Sequence, residues 1–263
     1  GSLDTKKNGI DIFGNITNEG GVTAQNIKGN VDNKGTMTAD IIDGPVTNSG
    51  TLTAKTVDGT VNNSGTIAIN EKVTGKVTNT GTATIANAEK EIENNGTMYL
   101  KGATYKKNVT NNKTMVVDGV STFKALLTNN KNAEITFNKA ATCEDTFTNS
   151  GKATMKANVT VSSENKAINQ KDAKIKVEKG VKFIGDDNTV YSIENYGLIE
   201  NDGETHNVFN AGKIVTGSDS YTAAVMKEGE ETEEGGNGII DNSKLGAVSY
   251  EADNSQIVQL IIP

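Results

Sequence analysis

The stretch Val46-Thr47-Asn48-Ser49-Gly50-Thr51-Leu52-Thr53-Ala54-Lys55-Thr56-Val57-Asp58-Gly59 decides the fold. Strand alternation across it sets Val46, Leu52 and Ala54 on one side and Thr47, Thr51 and Thr53 on the other. Its Asn-x-Gly corner recurs at Asn18, Asn33, Asn48, Asn63, Asn79 and Asn94, with spacings of 15, 15, 15, 16 and 15 residues. Looser copies follow at Asn111, Asn129, Asn149, Asn169, Asn195 and Asn210, at spacings of 17, 18, 20, 20, 26 and 15. A unit this short cannot bury its own apolar face and must stack on its neighbours. The pattern predicts an all-β, single-stranded parallel β-helix of about 12 rungs.

The same columns run down the chain. The position after the turn carries Val22, Met37, Leu52, Ile67, Ala83 and Met98, and two residues on stand Ala24, Ala39, Ala54, Ile69, Ile85 and Leu100. Two residues before each Asn stand Ile16, Val31, Val46, Val61, Val77 and Ile92. These read as interior stacks. The Asn shares the parity of that Val, so its amide is expected to point inward at the corner and bond turn backbone and the Asn of adjacent rungs. The expected ladder comprises Asn18, Asn33, Asn48, Asn63, Asn79, Asn94, Asn149, Asn195 and Asn210. The Gly that follows is expected to supply a positive φ. The general chirality of parallel crossovers favours a right-handed coil.

Composition narrows the function classes. The 33 acidic residues outnumber the 26 basic ones, and every basic residue is Lys, a balance that argues against nucleic acid as a partner. The apolar tail from Ile257 to Ile262, interrupted by Gln259, is far short of the ~18 residues of a membrane span. Residues 1–13 read as a lead-in or cap, 14–217 as solenoid repeats, and 218–263 as a C-terminal cap with an acidic loop over 228–238, since solenoid ends must cover an open strand edge.

The hydrophobic-x-Asn-x-Gly-Thr-hydrophobic-Thr-Ala rungs over about residues 14 to 215 resemble the repeats of bacterial parallel β-helix surface proteins, the haemagglutinin-like and autotransporter-passenger-like adhesins. That resemblance implies a stiff extracellular or cell-surface scaffold, with host or bacterial surface glycans or proteins as partners. Rungs in those families are commonly longer than the 15 residues seen here.

Candidate chemistry is sparse. Sugar-cleaving β-helices need a strong base near Asp, or a carboxylate pair, and the chain has no Arg. Asp186-Asp187 is the adjacent carboxylate pair in the longest inter-rung insert and reads as a solvated loop. Cys143 reads as a small packed hydrophobe, and His206 as a surface residue ahead of Val208. Gly235-Gly236-Asn237-Gly238-Ile239-Ile240-Asp241 is similar to a calcium-binding glycine repeat but stands as a single copy with one residue too many before Asp241. The Thr36/Thr38, Thr51/Thr53 and Thr82/Thr84 pairs resemble the rows of ice-binding solenoids, yet the rows break at Ala68, Tyr99 and Val116.

No catalytic, cofactor or metal site is expected. The expected function is a non-catalytic extracellular or cell-surface structural, adhesin-like protein, with ligands contacting residues about 101 to 245. The alternative is a carbohydrate-active or carbohydrate-binding β-helix acting on a polysaccharide, which two or more exposed Tyr beside carboxylates would favour.

Overall fold

The computed structural model describes residues 1–8, 10–162, 166–185, 192–226, 238–252 and 259–262. The protein is all-β, a parallel β-solenoid of about 12 turns. Two compact units divide it, Gly1–Gly119 and Val120–Pro263.

In the first unit each regular coil has a long strand followed by a short one. Thr36–Asp43 is followed by Val46–Asn48, Thr51–Asp58 by Val61–Asn63, and Thr66–Val73 by Val77–Asn79. The coils pair in parallel and in register, for instance Thr36 with Thr51, Met37 with Leu52 and Ala39 with Ala54, with one slip between Ile69 and Lys72 where Thr66–Val73 meets Thr51–Asp58. Two walls, one after each Asn turn and one before it, therefore build up with like residue on like. Ser2–Asp4 and Ile12–Phe13 pair on Gly21–Lys28, so the opening residues add a partial coil.

The long strand bends part-way. Burial along Thr36–Asp43 alternates up to Ala39 and then skips two residues before Ile42. The skip turns a third wall out of the same strand. Its inward column is Ile27, Ile42, Val57, Val73, Ala88 and Tyr105, all buried. That column was not anticipated, although its signal stands in the sequence as an apolar residue three positions after each Ala24, Ala39 and Ala54. Together with the anticipated columns, it makes a narrow interior of Ala, Val, Leu, Ile and Met.

The second unit has three separate strands per coil, such as Glu134–Phe137, Ala141–Cys143 and Phe147–Asn149. Its longer coils hold larger side chains. Phe123, Phe137, Phe147 and Phe183 are all essentially solvent-free, and the Phe137 and Phe147 rings meet edge to face at 5.9 Å. Spacings of 18 to 20 residues thus widen the coil to admit rings that the 15-residue coil replaces by Ala and Val. Strands beyond residue 218 keep the register of those before them: Ile214 pairs with Ile240, and Ile240 with Leu260.

Candidate functional site

The corner begins with the asparagines. In the first unit, Nδ2 donates to Oδ1 of the next asparagine from Asn18 to Asn33, Asn48, Asn63, Asn79, Asn94 and Asn111, at 2.6 to 2.8 Å. In the second unit the same bond runs from Asn129 through Asn149, Asn169 and Asn195 to Asn210. Each Nδ2 also donates to a backbone carbonyl in the next coil, as Asn48 does to Thr66 at 2.9 Å. A short amide offers a donor in one direction and an acceptor in the other, so Asn can stack on itself inside a dry corner. The looser copies Asn111, Asn129 and Asn169 join the ladder despite lacking the Gly, because the inward corner rewards the amide and not the turn residue. A second corner carries one more, Asn201, whose amide donates to the Tyr221 carbonyl and the Thr222 hydroxyl, both at 2.8 Å.

The corner glycines correct one expectation. Positive φ belongs to Gly14, Gly29, Gly44, Gly102 and Gly180, and not to the Asn-x-Gly residues. What excludes a side chain there is crowding between coils. A Cβ at Gly50 would lie 2.1 Å from the Gly35 carbonyl oxygen, and one at Gly65 would lie 2.2 Å from that of Gly50. The glycine is selected by the 4.7–4.9 Å strand spacing of the stack, which brings turn backbone onto turn backbone.

Two coils of the second unit solve the corner differently. Asn130-Lys131-Asn132-Ala133 and Gln170-Lys171-Asp172-Ala173 are longer turns, each closed by an Ala N–H donating to the first residue's carbonyl at 3.0 Å. Asn132 (φ 65°) and Asp172 (φ 66°) take the left-handed conformation that Asn and Asp tolerate. The coil between them keeps the tight Ser150-Gly151 turn. Two raised turns thus flank a low one, and the groove so formed, of about 460 Å³, is lined by Lys131, Asn132, Glu134, Ser150, Lys152, Gln170, Lys171, Asp172 and Lys174. Glu134 faces Lys152 at 3.3 Å, and Lys174 faces Glu200 at 2.6 Å. Lys131 and Lys171 sit at the same position of their turns, exposed, with no ion pair among the described residues.

A third turn of this type, Glu178-Lys179-Gly180-Val181, stands at a different corner. There Lys179 is matched by Asp219 at 2.6 Å, which holds the Asp219 carboxyl below its usual range. The adjoining hollow, about 440 Å³, is bordered by Glu178, Asp202 and Asp219 as well as Lys176 and Lys179.

His206 lies on the outer face of Glu204–Asn210, half-buried, with Nε2 at 2.5 Å from Glu204 Oε1 and its ring 4.9 Å from that of Tyr221. Lys182 binds the same carboxylate at 2.8 Å; this bond first, and the one to His206 after it, lowers the Glu204 carboxyl pKa. The backbone beside it is irregular: Asn207 is left-handed (φ 56°), pairing slips between Thr205 and Val208, and the buried Thr205 hydroxyl has no hydrogen-bond partner among the described residues. His206 is therefore part of a charged cluster, where the sequence had offered only a lone surface histidine.

The remaining candidates are dispersed. Cys143 points inward from Ala141–Cys143, and burial pushes its thiol up to about 12. Asp241 accepts from Lys213 at 3.0 Å and from the Ser243 N–H. Asp186-Asp187, Tyr191 and Glu228 to Asn237 lie outside the described residues. Tyr105 is buried in the first unit, whereas Tyr99 faces outward there. In the second unit Tyr196 packs its edge on Phe209 at 6.2 Å and donates to Glu194 at 3.4 Å. Threonines Thr36, Thr51, Thr66, Thr82, Thr97 and Thr114 form one unbroken outer column. The neighbouring column is interrupted at Ala68, Tyr99 and Val116. No protein family, curated protein or solved structure matches this chain.

Proposed function

We propose that the chain is a non-catalytic, surface-displayed binding scaffold of the adhesin kind, in which the regular coils supply a stiff support and irregular corners of the second unit meet the partner. The observation that carries this reading is the contrast in outer surface. The first unit's regular coils stack threonine on threonine in register along the wall after each Asn turn, as Thr36, Thr51 and Thr66 do. The second unit departs from the repeat at its corners and makes concave polar surface there, which is where a scaffold acquires specificity. Purified chain, applied to intact bacterial and animal cells and to a glycan array, should bind saturably. Absence of saturable binding to any cell or glycan would overturn the reading.

A second reading, a carbohydrate-active β-helix, is favoured by one observation, the Lys182–Glu204–His206 cluster beside Tyr221. A His–carboxylate pair on a half-buried face can move a proton. Release of reducing or unsaturated ends from acidic polysaccharides, lost in His206→Ala, would establish it.

A further inference from the structure

We infer that the groove between the Lys131 and Lys171 turns binds an acidic glycan chain lying along the stack, its carboxylate or sulfate groups held by those two ammonium groups. The inference rests on the binding-scaffold reading and names the ligand class for it. Its first support is the duplication. Two turns two coils apart share a length, a closing hydrogen bond, a left-handed residue and a lysine at the same position. Asn129 is in register with Asn149 and Asn149 with Asn169, so the two lysine positions are about 9–10 Å apart along the axis, two strand spacings. Repeated charges on a linear polymer fit that arrangement better than one small anion does.

The second support is the charge balance. The groove carries Lys131, Lys152, Lys171 and Lys174 against Glu134 and Asp172 in a chain whose net charge is −7. Glu134 is turned to Lys152, and Lys174 to Glu200. Lys179, on the third turn of the same design, has Asp219 as its counter-ion, whereas Lys131 and Lys171 have none among the described residues. Both of these unpaired turn lysines border the groove.

Chemistry selects the polymer. Asn132, Ser150 and Gln170 add amide and hydroxyl groups suited to sugar hydroxyls. No aromatic ring lines the groove to stack a base, and its one apolar lining residue, the buried Ala133, is too small to anchor a peptide. One coil further along the same corner, Tyr196 follows Asn195 as Gln170 follows Asn169, and its ring extends the path with a surface on which a sugar can pack.

The test uses the full chain immobilised on a biosensor, with sodium hyaluronate, polygalacturonate and heparin as acidic probes, and dextran and polyglutamate as controls. Wild type should bind at least one acidic glycan, more weakly as salt rises, and neither control. Lys131→Ser/Lys171→Ser should weaken that binding about tenfold or more, the scale for losing charge-assisted bonds. The charge-matched Lys106→Ser/Lys107→Ser should stay within about twofold. Equal losses in the two double variants, undiminished binding in the first, or binding of polyglutamate as tight as that of the glycans would each overturn the inference. Failure of every acidic glycan to bind also overturns it, and the cell-binding assay on the same preparation then judges the scaffold reading separately.

Discussion

Asn48 Nδ2 donates to Asn63 Oδ1 at 2.7 Å, and Asn63 passes the bond on to Asn79 at the same distance. An interior asparagine of the ladder thus has a partner above and below, while Asn18, at the end, has only Asn33. Replacing Asn63 by Leu leaves Asn79 Oδ1 without its donor in a dry corner and takes one acceptor from Asn48 Nδ2, which keeps the Gly50 and Thr66 carbonyls. Asn63→Leu should cost about 1–3 kcal/mol in denaturant unfolding, and Asn18→Leu distinctly less. Equal costs would mean that the amides act through the turn backbone and not through one another.

The glycines divide by mechanism, so their substitutions should too. Gly65→Ala puts a Cβ 2.2 Å from the Gly50 carbonyl oxygen, and should cost about 1–3 kcal/mol, as overpacking does. Gly180 has a φ of +74° and open space around it, and its counterparts in the sister turns are Asn132 and Asp172. Gly180→Asn should therefore change stability by no more than about 0.5 kcal/mol. Thermal or urea unfolding of the two variants decides the matter.

Cys143 is solvent-free and its thiol is pushed up to about 12, so almost no thiolate exists in the folded protein at neutral pH. An aromatic disulfide reagent should react only as fast as the second unit opens, and promptly in denaturant. Fast, stoichiometric labelling of native protein would show that the wall around Ala141–Cys143 is looser than described.

Glu204 is held below its usual 4.5 by Lys182 and then by His206. A carboxyl lowered in the folded state stabilises above its unfolded pKa, and that contribution is lost as pH falls through the lowered folded value. The acid limb of the stability-versus-pH curve, below about pH 4.5, should be shallower in Glu204→Gln than in wild type and unchanged near pH 7 to 8 in slope. An unaltered acid limb would mean that the cluster is too solvated to couple to folding.

These tests also mark how far the sequence could be read. The inward Asn and the Val, Met and Ala columns were legible because strand parity is strict and the first coils repeat almost without change. The third wall was not, because two outward residues such as Asp40 and Ile41 fall between Ala39 and Ile42 and break the alternation. The corner Gly was recognised for the wrong reason, since a single rung cannot show that its neighbour's carbonyl occupies the space. The groove was hidden more deeply. Asn129-Asn130-Lys131 and Asn169-Gln170-Lys171 looked like decayed copies of the motif, and only stacking shows that they are two matching longer turns around a normal one. The Lys182–Glu204–His206 cluster likewise joins residues of adjacent coils whose spacing varies, which the residue numbers alone do not bring together.

The central claim is a division of labour, with regular coils as support and the second unit's raised corner as binding surface. Amide hydrogen exchange on the full chain, free and saturated with an acidic glycan, tests it most directly. The account predicts new protection in the turns at 130–133 and 170–173 and at 150–152, with no change along the Thr36, Thr51, Thr66 and Thr82 column. Protection centred on that threonine column, or no protection at either place with glycan bound, would contradict it.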